Sequence, residues 1–381
     1  MSKYKSIKKI REEKSNFWAN KKQKSKIVKG FDTNIQTKGN ENLNKQNLDE
    51  NLVELDGIVV ANLGNFFEVQ LCKNNFQDLD ELVFTCISTG AIKSENEHTI
   101  RDGNLIVVGD KVKFIQIESK NDEVTYQGVI KKVLFRNKFL SRQAAGRKKK
   151  EQILASNIAK VIIFVAADSP PYNKRLIDRY LIAAEQNLLE AIIVVNKVDL
   201  FPKRLFEHDL KVYKDLGHKI FYFSTLKPGR YKKEIDKLKN TLLDKEVNGY
   251  SIITGPSGVG KSSFLNLFFG DDIQIVNEVS ESTSKGLHTT SFSRLFMFDS
   301  EHGIIDSPGI REFGLWQFEK SEIRLYFHDF DKFRDNCKYN GCTHEHEPNC
   351  AIKEAVENGE LDQDRYMSYI NIMQSNPEDI F

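Results

Sequence analysis

The sequence predicts a multi-domain chain with three folded parts. These are an N-terminal β-barrel, a central α/β nucleotide-binding domain and a C-terminal α-helical module built around a metal. Three observations carry this prediction. Short strand-like runs separated by glycine turns fill roughly Leu52 to Phe135. Strands and helices then alternate on either side of a phosphate-loop pattern at Gly255, Gly260, Lys261 and Ser262. A compact C-x4-C-x-H-x5-C cluster follows at Cys337, Cys342, His344 and Cys350. A chain of 381 residues is long enough for two or three cores.

Composition narrows the class. Apolar residues make up 40% and charged residues 29%, the balance of a soluble globular protein. No apolar run approaches the roughly 20 residues needed to cross a bilayer. The lysine-rich N-terminus has no apolar stretch behind it, which argues against a signal peptide. Five cysteines, three of them clustered, do not form the pattern of a secreted disulfide scaffold. The expectation is a cytoplasmic protein with no membrane partner. Net charge is only +2 but unevenly spread. Met1 to Lys29 holds eleven Lys or Arg and two Glu, and a second basic run spans Arg136 to Lys150. Such blocks on a near-neutral chain point to a polyanion, most simply RNA.

The elements follow in order. Residues 1–50 are polar and aperiodic, and are expected to be a basic disordered tail. Residues 51–135 carry about five strand runs, around Val59, Phe67, Phe84, Phe114 and Ile130, punctuated by Gly57, Gly64, Gly90, Gly109 and Gly128. That density suits a small closed barrel, an OB-fold or an SH3-like one. Cys72 and Cys86 sit in these runs as small core residues. Residues 136–155 read as a basic linker. Residues 156–320 alternate buried strands (Val161–Val165, Ala191–Val195, Lys219–Phe223, Tyr250–Ile253) with helices (Lys174–Gln186, Lys232–Leu243, Lys261–Phe269). This is the pattern of a parallel sheet with helices on both faces. Residues 321–381 turn helical around the Cys/His cluster, with helices expected over Ala351–Asn358 and Gln363–Met373.

The phosphate loop runs Thr254-Gly255-Pro256-Ser257-Gly258-Val259-Gly260-Lys261-Ser262-Ser263. Its glycines let backbone N–H groups turn onto phosphates, Lys261 reaches the β- and γ-phosphates, and Ser262 offers its hydroxyl to Mg2+. The following helix adds its positive end. Asn196-Lys197-Val198-Asp199 stands about sixty residues before this loop, behind a buried strand. A carboxylate at Asp199 accepts from N1–H and the exocyclic amine of guanine, a donor pair that adenine lacks. GTP is therefore expected over ATP, and Ser224-Thr225 occupies the place of the loop that backs the base. In an ordinary GTPase the phosphate loop comes first. Here the guanine reader does, so the motif order is circularly permuted.

Asp306-Ser307-Pro308-Gly309 fits D-x-x-G, with Asp306 holding Mg2+ and the Gly309 N–H meeting the γ-phosphate. His288, Thr289 and Thr290 lie where the first switch belongs, and one threonine is expected to close over Mg2+. With Gly309, these are the candidate catalytic residues. The position after Gly309 is Ile310, whose aliphatic side chain cannot orient water. Intrinsic hydrolysis is expected to be slow, and His288 is the nearest group in sequence to orient water.

Three thiolates and an imidazole suit one tetrahedral Zn2+ with no open position, a structural site. His346 is the alternative imidazole ligand.

Taken together, N-K-V-D, G-P-S-G-V-G-K-S-S, H-T-T, D-S-P-G-I-R-E-F and C-x4-C-T-H-x5-C resemble the ribosome small-subunit-dependent GTPase family, RsgA or YjeQ. The likeness extends to Val108-Gly109-Asp110, Glu347-Pro348, Arg365-Tyr366 and Ser368-Tyr369. It implies an OB-fold, a circularly permuted P-loop GTPase domain and a helical zinc-binding domain. It also implies a protein that binds 16S rRNA on the 30S subunit late in its maturation and hydrolyses GTP with stimulation by that subunit. A monomer is expected. The alternative is a nucleotide-gated RNA-binding module in which hydrolysis is incidental. The permuted order further suggests that loss of the γ-phosphate moves the zinc module relative to the barrel.

Overall fold

Alternating burial builds the barrel first. Strands β1 (Glu54–Asn62), β2 (Phe67–Leu71), β3 (Val83–Ser94), β4 (Lys111–Gln116) and β5 (Gly128–Val133) point Val59, Val69, Cys86, Val112, Phe114 and Ile130 into a dry interior. Antiparallel β1–β2 and β2–β3, parallel β3–β5 and antiparallel β5–β4 are closed by β4 pairing with β1. This 1-2-3-5-4-1 closure is a five-stranded OB-type barrel, which leaves no free edge within it. Burial pushes the Cys86 thiol up to about 12, as suits a core residue.

This computed structural model describes residues 53–64, 66–72, 82–94, 106–117, 127–143, 151–270, 293–306 and 320–375, all within one compact unit, Val53–Phe381. The basic tail 1–50, the basic residues 144–150, the His288-Thr289-Thr290 segment and Ser307 to Ile310 lie outside the described residues.

The stretch expected as a linker contains a hairpin, β6 (Phe139–Gln143) with β7 (Glu151–Ser156). Leu140 and Ala155 are fully buried in it. The neighbouring basic run masks this short alternation in the sequence.

The central domain has strands β8 (Ile158–Ala166), β9 (Glu190–Asn196), β10 (Lys219–Tyr222), β11 (Tyr250–Thr254), β12 (Arg294–Met297) and β13 (Gly303–Asp306). Their spatial order is β10-β9-β8-β11-β13-β12, parallel except for β12. The strand that feeds the phosphate loop thus stands near the middle, although it is fourth in chain order. β8 and β11 are buried along their whole length, as parallel strands covered on both faces must be. Helices α1 (Lys174–Gln186), α2 (Lys203–Asp209), α3 (Lys211–Asp215), α4 (Lys232–Leu242) and α5 (Lys261–Phe269) provide the cover. α1 starts at Asn173, whose side chain accepts from the Arg175 N–H, and buries Ile177, Tyr180, Leu181 and Ala184. The short helices α2 and α3 lack a long apolar period and were not foreseen from sequence.

The C-terminal module comprises α6 (Asp331–Arg334), α7 (Ala351–Glu357) and α8 (Gln363–Gln374), preceded by 3-10 turns. One core joins the three parts. Ile58, Val60 and Val108 of the barrel, Ile163, Ile177 and Leu181 of the central domain, and Phe327, Phe330 and Tyr369 of the module belong to the same buried cluster. The barrel also extends the central sheet, because β1 pairs antiparallel with β12 at Ala61 and Arg294. Next to this pairing Arg294 Nη2 lies 2.9 Å from Glu68 Oε2. A buried joint reinforces the contact. Asp110 accepts from Arg136 Nε and Nη2 at 2.7 Å each and from the Ser156 hydroxyl at 2.6 Å.

Candidate functional site

The phosphate loop leaves β11 through Gly255, at φ +142°. A Cβ there would sit 1.9 Å from the Phe164 carbonyl oxygen on β8, so only glycine lets the two backbones approach. Gly260 closes the loop at φ +99°, and a Cβ there would fall 2.4 Å from Asn196 Nδ2. Between them stand Pro256, Ser257, Gly258 and buried Val259. Lys261, Ser262 and Ser263 form the first turn of α5, and the positive end of a helix favours an anion. Lys261 Nζ donates to the carbonyls of Gly255 at 2.8 Å and Pro256 at 2.7 Å, which holds the ammonium over the loop.

Asn196 ends β9 fully buried. Its Nδ2 donates to the Val259 carbonyl at 2.8 Å and its Oδ1 accepts from the Thr225 N–H at 3.0 Å. One side chain therefore fastens the phosphate loop to the Ser224-Thr225 loop. Lys197, at φ +59°, donates to the Gly258 carbonyl at 2.7 Å and to the Ser169 carbonyl. Asp199 is 5% exposed and its Oδ2 lies 2.9 Å from Lys227 Nζ. The Ser224 hydroxyl and the Lys227 ammonium hold its carboxyl below the ordinary carboxylate range, despite burial. Its Oδ1 is buried without a hydrogen bond of good geometry among the described residues. The carboxyl is thus held ionised, the acceptor-only state. Asp306 ends β13 beside Ile253, at the same edge of the sheet as the phosphate loop.

The structure thus brings Asn196 to Asp199, Ser224-Thr225, Gly255 to Ser263 and Asp306 to one end of the sheet. The remaining expected residues, His288, Thr289, Thr290 and Gly309, lie outside the described residues. Sequence reading missed Lys227 and the Ser169 carbonyl. Both are tertiary partners of the Asn196 to Asp199 segment and carry no local motif.

The second cluster lies beyond α6. Its four ligand atoms, from Cys337, Cys342, His344 and Cys350, all fall within 4.8 Å of one another. Cys337 Sγ is 3.9 Å from Cys350 Sγ, and His344 Nδ1 is 3.6 and 3.4 Å from these two sulfurs. Tetrahedral zinc with ordinary bond lengths sets S···S edges of about 3.8 Å and N···S edges of about 3.5 Å. The donor set and its dimensions therefore fit a metal ion. His346 is not part of it: its side chain is 84% exposed and faces Glu345. Burial and the nearby Arg334 lower His344 to about 4, so the imidazole is neutral and able to ligate at pH 7. Tyr366 and Tyr369 of α8 donate to the carbonyls of His344 at 2.9 Å and Thr343 at 2.5 Å, which shape the ligand loop from behind.

Comparison with known proteins decides the family. An RsgA GTPase family model matches residues 133–316. The small ribosomal subunit biogenesis GTPase RsgA of Chlorobaculum parvum is 38% identical over 297 residues, 77% of this chain and 91% of that protein. This chain belongs to the RsgA family. The RsgA of Flavobacterium johnsoniae is 33% identical over 327 residues, 85% of this chain and 94% of that one. Among solved structures, YjeQ from Thermotoga maritima aligns with a TM-score of 0.55 at 29% identity, covering 84% of this chain and 98% of that one. The circularly permuted GTPase YloQ shares the fold at a TM-score of 0.53. RsgA membership fits the permuted strand order, the barrel and the Cys3His cluster. No helix among the described residues is long and apolar enough to cross a membrane.

Proposed function

We propose that this RsgA protein binds GTP at the β9–β11 end of its sheet and hydrolyses it to GDP and phosphate on the small ribosomal subunit, late in that subunit's maturation. The observation that carries the reading is the direct bond from Asn196 to the phosphate loop at Val259. Two motifs far apart in sequence form one pocket edge, as a single guanine nucleotide requires. Asp199 reads the base, Lys197 lies against it and Asn196 keeps the reader in register with the phosphates. Backbone N–H groups from Gly255 to Ser263 and the α5 terminus hold the phosphates, with Lys261 leaving its loop carbonyls for the β- and γ-oxygens. Ser262 and Asp306 are placed to hold Mg2+, which supplies charge neutralisation on the phosphates when bound. His288, Thr289, Thr290 and Gly309 complete the site around the γ-phosphate.

Cys337, Cys342, His344 and Cys350 hold one structural Zn2+. The barrel and the basic segments read from the sequence support 16S rRNA as the contact on the 30S subunit, and in this reading the protein works as a cytoplasmic monomer. The test is the GTP hydrolysis rate with and without purified 30S subunits. The expected result is slow turnover alone and strong stimulation by 30S that fades as salt rises. Equal rates with and without 30S would overturn the reading.

A further inference from the structure

One side chain joins the helix that follows the guanine-reading loop to the metal-binding module. Lys174 opens α1 with its side chain only 10% exposed. Its Nζ lies 3.0 Å from Asp209 Oδ1, 3.4 Å from Asp362 Oδ1 and 2.9 Å from Asp364 Oδ2. Asp209 is the last residue of α2, the helix that follows the Asn196–Asp199 reader. Asp362 caps α8 and Asp364 lies in its first turn. The tyrosines of that same helix hold the Thr343 and His344 carbonyls of the metal loop.

The circuit closes on the reader side as well. Asp209 Oδ2 accepts from the Tyr172 hydroxyl at 2.5 Å. Tyr172 belongs to the loop before α1, and that loop's Ser169 carbonyl accepts from Lys197. Contacts from α8 thus run toward the reader by two routes, through Asp209 at the end of α2 and through the Ser169 carbonyl at Lys197. An ammonium facing three carboxylates is not interchangeable with a neutral group. Without it the three acids repel one another and the contact between α2 and α8 loosens.

We propose that Lys174 is a positioning residue for guanine, through which the order of the metal module sets the affinity of the reader loop for the base. The proposal rests on the assignment of Asn196 to Asp199 to guanine. Because GDP and GTP share the base, the coupling acts on both alike. By reciprocity, a bound guanine nucleotide also steadies the metal module.

The experiment uses the full chain loaded with zinc, and follows zinc transfer to a chromogenic chelator with and without GDP. GDP is expected to slow transfer about five- to tenfold in the wild type, the size of an ordinary coupling between sites. Lys174→Met loses this GDP effect and binds fluorescent GDP and a non-hydrolysable GTP analogue about five- to tenfold more weakly at equilibrium. Lys174→Arg restores part of the effect. Asp209→Asn, which touches only the reader end, moves both readouts the same way and stands in if Lys174→Met fails to fold. Zinc transfer indifferent to GDP in the wild type, or a GDP effect undiminished in Lys174→Met and Asp209→Asn, overturns the proposal. Asp199→Asn separates this failure from that of the underlying reading. If it does not trade GDP for xanthosine diphosphate, the reader assignment is wrong. If it does, while zinc transfer ignores GDP, the coupling alone is wrong.

Discussion

Gly260 shows how narrow the nucleotide site is at the level of single residues. Its φ of +99° and the 2.4 Å approach of Asn196 Nδ2 to an added Cβ leave no space for a methyl group. Gly260→Ala strains the backbone by about 1–3 kcal/mol and displaces the amide that bonds Val259. We expect guanine nucleotide binding to be lost in a fluorescence titration while the fold persists. Binding within twofold of wild type would contradict this. Glu347 offers a pH-dependent counterpart. Burial pushes its carboxyl up, but the Thr343 N–H and hydroxyl, at 2.8 and 2.7 Å, and the Glu345 N–H hold it down to about 2, against an ordinary 4.5. A folded value below the unfolded one means stability that is complete above about 4.5 and lost as pH falls through about 2. Glu347→Gln is therefore less stable than wild type at pH 6, and the gap closes on acidification across that window, as denaturant unfolding at a series of pH values would show.

At the scale of elements, α8 is the anchor of the C-terminal module. Arg365, 3% exposed, donates from Nη1 to Asp178 of α1 and from Nε and Nη2 to Asp329, and its guanidinium stacks 4.5 Å from the Phe327 ring centroid. Arg365→Met leaves two buried carboxylates without their cation and is expected to cost about 3–5 kcal/mol. Lys at this position recovers little, because a point charge cannot serve two carboxylates in a planar fork. The denaturation midpoints of the three proteins check both statements. The same helix shows what a sequence can and cannot reveal. Its existence, its start near Gln363 and the Cys/His cluster before it follow from periodicity and spacing. So do the strand–loop–helix frame of the phosphate loop and the buried strand behind Asn196. The partners of Arg365 are 187 residues away at Asp178 and 36 away at Asp329, and no local pattern marks them. Lys227 beside Asp199 and Ser169 beside Lys197 escaped for the same reason. The β6–β7 hairpin escaped because its few apolar positions flank a run of lysines and arginines, whose charge dominates the local composition.

The whole molecule constrains how a nucleotide can act on it. The sequence order suggested that γ-phosphate loss moves the zinc module against the barrel, since the switch segments lead into the Cys/His cluster. The packing argues otherwise. The barrel is fixed to the sheet through the Asp110–Arg136–Ser156 joint and the β1–β12 pairing. The module is fixed to α1 through Lys174 and Arg365, and both contacts belong to one hydrophobic core. Among the described residues, neither contact uses Gly255 to Ser263. Parting the module from α1 would expose Phe327, Phe330 and Tyr369, each 0% exposed, at roughly 1.5–3 kcal/mol per side chain. With the broken ion pairs added, the cost exceeds the differential affinity of about 5.5 kcal/mol that moves a two-state equilibrium from 1:99 to 99:1. The barrel and the module are therefore expected to keep their spacing in both nucleotide states. Small-angle scattering of the full chain with GDP and with a non-hydrolysable GTP analogue should give superimposable curves. A change in radius of gyration that Arg365→Met enlarges would mean that the module does swing, and that the buried charges only limit how far.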